Sequence, residues 1–245
     1  MGIAKTDKGF TIIEVSMVLA IAGLLFFGIM IGITRQVQQQ RFKESVDATQ
    51  SFLQQQYRMA VNVVNDRNND DSCGTGTDRG TSSCPIIGRL IKIYERDTTN
   101  DEFVMSAQDI IIDDNPLIDN PTYSGDLVDY LNKPETNARF LPDNNKSSYI
   151  VPWGATMIPP KDDNGTGSNV TYIALVRSPR GGELNVLKLV SNSNNVPLKF
   201  SVVDKSIKTC ITSQEIVGFT ASLSINGLVN TQDGVTTKFD EATCP

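Results

Sequence analysis

The longest apolar stretch in the chain is the uncharged run from Val15 to Ile33. A helix needs about 20 such residues to cross the hydrocarbon of a bilayer, so the run is sized for a membrane span. Beyond it the pattern changes character without breaking. Phe42, Val46, Thr49, Leu53, Tyr57, Ala60 and Val64 recur every three or four positions among Gln, Lys, Arg and Asp, which places them on one stripe of an amphipathic helix. No proline precedes Pro85, so nothing forces a break between the two patterns. One helix from about Phe10 to Asn65 is expected, roughly 80 Å long at 1.5 Å rise per residue. Its first part, to Ile33, suits an apolar solvent, and its second part, 34–65, suits one face of a folded domain.

The polar run from Asn65 to Ser72 ends the periodicity, and Gly74, Gly76, Gly80 and Pro85 mark an irregular loop. Strand-like segments follow at Arg89 to Glu95, Phe103 to Met105 and Ile110 to Ile112. A short helical segment is expected from Asp126 to Leu131, and a strand from Ser148 to Val151 ahead of Pro152. The clearest β pattern comes late. Val170 to Val176 leads through Ser178-Pro179-Arg180-Gly181-Gly182 to Leu184 to Val190, then Leu198 to Val203 and Glu215 to Leu223. Short turns between such neighbours predict an antiparallel meander. The fold class is therefore α+β, with an antiparallel sheet covering the helix stripe. Four regions follow one another: 1–9, 10–33, 34–65 and a β-rich globular domain over 66–245, long enough for a core of ordinary size.

Composition narrows the chemistry. The chain has 245 residues, a formal net charge of -6 and no histidine. Without histidine, serine–histidine and cysteine–histidine catalysis and the usual zinc-hydrolase ligand sets are excluded. No G-x-S-x-G or P-loop motif occurs either, and the chain does not read as an enzyme. No long basic run offers a broad nucleic-acid face, although a small local patch stays open. Cys73, Cys84, Cys210 and Cys244 all follow the apolar run and show no C-x-x-C spacing, which points to two disulfides in an oxidising, extracytoplasmic space rather than to a metal site. More than one pairing fits; proximity along the chain favours Cys73 with Cys84 and Cys210 with Cys244. Lys5 and Lys8 stand before the span and Arg35, Arg41 and Lys43 after it, so positive charge alone leaves the orientation open. The cysteines place the C-terminal bulk outside.

Residues Met1 to Gly9 are short and polar. A secretory signal would carry a small-x-small cleavage site after its apolar core, but Thr34-Arg35-Gln36-Val37-Gln38 follows instead, so the apolar segment is expected to be retained. The sequence Lys8-Gly9-Phe10-Thr11-Ile12-Ile13-Glu14, running straight into an apolar helix, resembles the type IV filament family, the pilins and pseudopilins. The resemblance covers the N-terminal segment down to Ile33. It combines a particular glycine, a hydrophobic residue after it and a lone glutamate inside an otherwise uncharged span; the helix-then-sheet order and the C-terminal cysteines agree less specifically.

The resemblance implies that a membrane aspartyl peptidase cuts between Gly9 and Phe10 and methylates the new Phe10 amine. It implies that Glu14 pairs with that amine on a neighbouring subunit. Read from its residues alone, Glu14 is also compatible with an interfacial carboxylate at the positive end of a helix dipole. A carboxylate at the centre of a span would cost about 2.5–3.5 kcal/mol, less near the edge. The implied function is structural: a minor pilin of a type IV pilus, given the length from Phe10 to Pro245. Its partners would be other pilin subunits, the prepilin peptidase and a membrane assembly platform. The chain would wait as a single-pass protein of the cytoplasmic (inner) membrane and end in a surface or periplasmic filament. A pseudopilin of a type II secretion or DNA-uptake system would share every one of these residues. A membrane-tethered binding protein or adhesin that is never processed is the reading from a different class.

Secondary signals are weaker. Gly23, Gly28 and Gly32 offer small surfaces for helix contact in lipid. Many members of the family carry a proline in this helix where the present chain has Ile31. Asp113, Asp114 and Asp119, or Asp162, Asp163 and Asn164 before Gly165, have oxygen ligands of the kind calcium takes, but neither run has a full calcium-loop spacing, so solvated turns and no cofactor are expected. Trp153 and Tyr149 fit either the core, the default for isolated aromatics, or an exposed adhesive spot.

Overall fold

The structure, a computed structural model, describes residues 9, 11–62, 86–97, 102–112, 127–132, 138–140, 147–162, 170–178, 183–189, 199–213, 219–229 and 231–239. It divides into two compact units, Met1–Arg41 and Phe42–Pro245. Helix α1, Ile12–Val61, contributes to both and runs without interruption through Ile31 and the three glycines. The expected stripe is the buried one: Phe42, Val46, Thr49, Leu53, Tyr57 and Ala60 are all covered, and Ser45, Phe52 and Gln56 widen it. Val64 lies outside the described residues.

The second unit holds α1 from Phe42 onward, a short helix α2 (Leu127–Leu131) and two antiparallel sheets. The strands of the first sheet are β1 (Ile86–Asp97), β2 (Glu102–Ile111), β3 (Arg139–Phe140), β4 (Ser147–Ile150), β7 (Tyr172–Arg177), β8 (Leu184–Leu189) and β9 (Phe200–Val202). Their order is β3-β2-β1-β7-β8-β9, with β4 sharing the outer edge of β2. The second sheet is built from β5 (Ala155–Met157), β6 (Lys161–Asp162), β10 (Ser206–Ser213), β11 (Thr220–Asn226) and β12 (Val235–Lys238). It runs β12-β11-β10-β5, and β6 also pairs with β10. The α+β class stands.

Three expectations change. Phe103 to Met105 and Ile110 to Ile112 are not separate strands: Ser106, Ala107, Gln108 and Asp109 between them keep pairing with β1, so β2 is continuous through Ile111. The meander holds for β7, β8 and β9 only, because β11 belongs to the second sheet. β10 was not anticipated. Its sequence, Ser206-Ile207-Lys208-Thr209-Cys210-Ile211-Thr212-Ser213, buries Ile207 and Ile211 on one face, and its interspersed polar residues mute the hydrophobic signal.

The first sheet is buried on both faces, and the period of two sorts its residues. Ile91 and Ile93, Phe103 and Met105, Ile173 and Leu175, and Leu184 and Val186 join the cluster containing the α1 stripe and the inner face of the second sheet. Leu90, Ile110, Ala174, Val176 and Leu187 join Tyr130, Leu131 and Phe200 on the other side. Buried strands of this kind read as nearly continuous apolar runs. A Cβ on Gly88 would collide with the Leu175 carbonyl oxygen and stand 2.8 Å from Val176 Cα, so the backbones of β1 and β7 pass too closely there for any side chain.

Polar pairing then pins the register. Arg89 and Asp109 face each other across β1 and β2 and form a buried ion pair at 2.8 Å. Arg89 Nη2 also donates to Ser147 Oγ at 3.1 Å, and Ser147 Oγ donates to the Ala107 carbonyl at 3.3 Å, tying β4 to the same edge. A slip of one residue would reverse the faces of the strand and break this set. On the helix, Gln50 Nε2 donates to the Val235 carbonyl at 3.0 Å and Gln50 Oε1 accepts from the Thr237 hydroxyl at 2.8 Å. Phe52 stacks on Tyr149 with ring centroids 4.9 Å apart, while Phe42 meets Phe219 and Phe239. The helix is thereby fastened to strands of both sheets. Tyr149 is half-buried against the helix, whereas Trp153 is 51% exposed.

Tyr57 is 2% exposed, and its hydroxyl has no hydrogen-bond partner among the described residues. Burial pushes its phenol pKa well up. Burial raises that of Tyr149 as well, with the Thr49 side chain pulling the other way. Because the native pKa of Tyr57 lies above the unfolded one, its neutral form favours the folded chain. That stabilisation is fully present below pH about 10 and is lost at about 1.4 kcal/mol per pH unit as pH rises further. Tyr57→Phe should leave stability near neutral pH unchanged or raised by up to about 1 kcal/mol, since no hydrogen bond is lost. Urea titrations of both proteins from about pH 8 to about pH 11 should show the alkaline fall reduced in the variant; parallel curves would contradict this account.

Candidate functional site

The chemistry singled out by the sequence lies at the start of α1. Thr11 stands at the N-cap position, and its carbonyl accepts the first intrahelical bond, from Val15 N at 3.2 Å. Its backbone N–H and its hydroxyl both donate to Glu14 Oε2 at 3.0 Å, and Glu14 N donates to Thr11 Oγ1 at 3.3 Å. The Thr-x-x-Glu pattern closes a reciprocal capping box, which satisfies backbone donors that the first turn would otherwise leave open. The signal is present in Thr11-Ile12-Ile13-Glu14, and it adds a role within the helix to the two expected for Glu14, a partner for a neighbouring chain or an interfacial carboxylate at the helix start. No hydrogen bond to Glu14 Oε1 is formed among the described residues, so that oxygen remains able to accept a second donor.

The remaining polar groups of the segment are treated in the same way. Ser16 Oγ donates to the Ile13 carbonyl at 2.9 Å, and Thr34 Oγ1 donates to the Met30 carbonyl at 2.9 Å. Each hydroxyl is returned to its own helix, which is what a polar side chain needs where water is absent.

The apolar side chains have no such partner. Ile12 is 88% exposed and Leu24 75%, and Leu25, Phe26, Phe27, Ile29 and Ile31 are exposed as well. Leaving a large aliphatic or aromatic side chain in water forfeits about 1.5–3 kcal/mol of burial each, so this surface is unfavourable in water and compatible with a membrane span. The helix is long and apolar enough to cross a membrane, and none of its most apolar window is buried. A Cβ added at Gly23, Gly28 or Gly32 would meet nothing within 4 Å, so no contact within the described chain calls for glycine there. The same is true of Gly9, which is exposed. Phe10 lies outside the described residues.

Cys210 sits in β10, 1% exposed, and is disulfide-bonded. Cys73, Cys84 and Cys244 lie outside the described residues, as do Asp113, Asp114, Asp119, Asp163, Asn164 and Gly165. Of the calcium candidates, Asp162 is placed in β6, its backbone paired with Ile207. Among the described residues no group of three or more acidic or cysteine side chains is arranged to hold a metal ion. Trp153 and Gly154 form the turn from β4 to β5, both with positive φ (62° and 61°).

In comparisons with known proteins, no family model, no curated protein and no solved structure matches this chain.

Removing the Thr11 hydroxyl tests the capping box. Thr11→Val should cost the helix start about 1 kcal/mol, seen in detergent micelles as roughly fivefold faster hydrogen exchange at the Glu14 amide. Unchanged exchange there would mean that the box contributes nothing.

Proposed function

We propose that the chain is a filament subunit of the type IV pilin kind, a minor pilin by preference, anchored by α1 until assembly. The observation that carries this reading is the contrast within α1. Its early turns expose an uninterrupted apolar surface that finds no cover among the described residues, while its later turns are fastened into a folded β-rich unit. Such a segment is at home first in lipid and then among identical helices, where each neighbour replaces the lipid it displaces. The Lys8-Gly9-Phe10 sequence supplies the processing point. Among the described residues Gly9 makes no contact that calls for glycine, which suits a glycine demanded by a peptidase that must approach the backbone closely.

In the assembled state Glu14 would serve two partners. Oε2 holds Thr11 of its own chain, and Oε1 would accept from the methylated Phe10 amine of the next subunit, so that two charges neutralise each other in an apolar core. Orientation follows from the cysteines: Cys210 belongs to the oxidised side, and the β-rich unit would lie outside the cytoplasmic membrane. A tethered binding protein would need the span but neither Gly9 nor an intersubunit partner for Glu14.

Mass spectrometry of filaments sheared from producing cells separates these readings. The expected product is a peptide that begins at N-methylated Phe10, and Gly9→Leu should abolish both processing and incorporation. Recovery of intact Met1 forms alone, confined to the membrane fraction and unaffected by Gly9→Leu, would sink the filament reading in favour of a plain anchor.

A further inference from the structure

The first sheet ends in β9, which pairs with β8 and with no other strand among the described residues. Val203 N donates back to the Val186 carbonyl, so the backbone groups of Ser201 and Val203 turn toward β8 and those of Phe200 and Val202 turn outward. The outward pair on Phe200 is occupied. Its N–H donates to Asn132 Oδ1 at 2.7 Å, and its carbonyl accepts from Asn132 Nδ2 at 2.9 Å. A carboxamide carries the same donor and acceptor as a peptide unit. Asn132 therefore stands where the backbone of an added strand would begin. It follows directly on α2, whose Tyr130 and Leu131 share a buried cluster with Phe200, so the carboxamide is carried on a packed element.

The second sheet has a partial counterpart in the other carboxamide residue, with one bond to the backbone and one to a side chain. β12 is its terminal strand, and Gln50 of α1 donates to the Val235 carbonyl while accepting from the Thr237 hydroxyl. The strand guarded by Asn132 needs such protection. Lys199-Phe200-Ser201-Val202-Val203 is rich in aromatic and β-branched residues, carries a single charge and leaves Val202 42% exposed at the edge. Short segments of this composition on a sheet edge are templates for strand pairing between molecules.

We propose that Asn132 is an edge stop: it prevents β9 from pairing, strand to strand, with the β9 edge of a second copy of this chain. Gln50 plays the corresponding part at β12. The device is independent of what α1 does in a membrane.

The test uses the full chain in detergent micelles, with the wild type in the same detergent as baseline. Asn132→Leu keeps the volume and removes both hydrogen bonds; Asn132→Asp keeps only the acceptor for the Phe200 amide. Val202→Pro added to Asn132→Leu removes an outward amide that β8 does not use. Amide exchange at Phe200 should quicken about tenfold in Asn132→Leu. Sedimentation velocity over a concentration series should show new, concentration-dependent association, less in Asn132→Asp, and its reversal by Val202→Pro. Association that persists with Val202→Pro overturns the proposal. So does a monodisperse Asn132→Leu whose Phe200 amide has opened. Should Asn132→Leu fail to fold, the Asp variant decides: an opened Phe200 amide with no rise in association rejects the edge stop.

Discussion

A single backbone helix with two kinds of surroundings is the constraint from which the rest of this structure follows. The hydrogen bonds of α1 run unbroken from Ile12 to Val61, but the side chains along it change from uniformly apolar to one buried stripe. Helices need no outside help to satisfy their backbone, so the same geometry serves in lipid and on a protein core. Only the ends need special care. At the N-terminus the Thr11–Glu14 box supplies it, turning a carboxylate that would be costly in an apolar segment into part of the helix itself. Ser16 and Thr34 complete a segment whose polar groups are answered internally. What it lacks is cover for its carbon surface.

The folded unit is organised around the opposite requirement. The stripe from Phe42 to Ala60 has to be covered, and strands of both sheets take part. Their contributions differ in kind. The first sheet is itself covered on its far face by α2 and its neighbours, which accounts for its long apolar strands and for the backbone-to-backbone approach at Gly88. The second sheet turns Ile207, Ile211, Ala221, Leu223 and Ile225 inward, with Cys210 and Ser222 buried as well. Directional bonds then choose among packings that hydrophobic burial alone would leave nearly equal in energy. The Arg89–Asp109 pair with Ser147 sets β1, β2 and β4 against one another, and Gln50 sets α1 against β12. Some buried polar atoms stay unanswered among the described residues, including Ser45 Oγ, Gln56 Oε1 and the Tyr57 hydroxyl. Each is a desolvated group that no hydrogen bond among the described residues offsets.

Edges complete the picture. Two finite sheets leave strands whose outer backbone groups would recruit other chains. Asn132 answers that hazard with the side-chain equivalent of a peptide unit, and Gln50 with one bond to the backbone and one to a side chain of β12. Gln50 is carried on α1 and Asn132 follows directly on α2.

Much of the fold and of the candidate site was legible in the residues, and the division has a physical basis. Helical periodicity, the absence of proline before Pro85 and the switch from a uniform to a striped pattern are local properties, so the sequence determined α1 and named most of its buried face, missing Ser45, Phe52 and Gln56. The same locality made Lys8-Gly9-Phe10 and Glu14 visible, and it would have revealed the capping box, since Thr11 and Glu14 are three residues apart. Strand existence was largely readable where both faces are buried. It failed at β10, whose alternating polar residues look like loop until Ile207 and Ile211 have a core to face. Sheet membership, the union of two short segments into β2, the exposure of Trp153 and the roles of Asn132 and Gln50 were decided only by tertiary structure. The contacts that decide them join residues distant along the chain, as Arg89 to Asp109 and Gln50 to Thr237 show, and no local pattern encodes such a meeting.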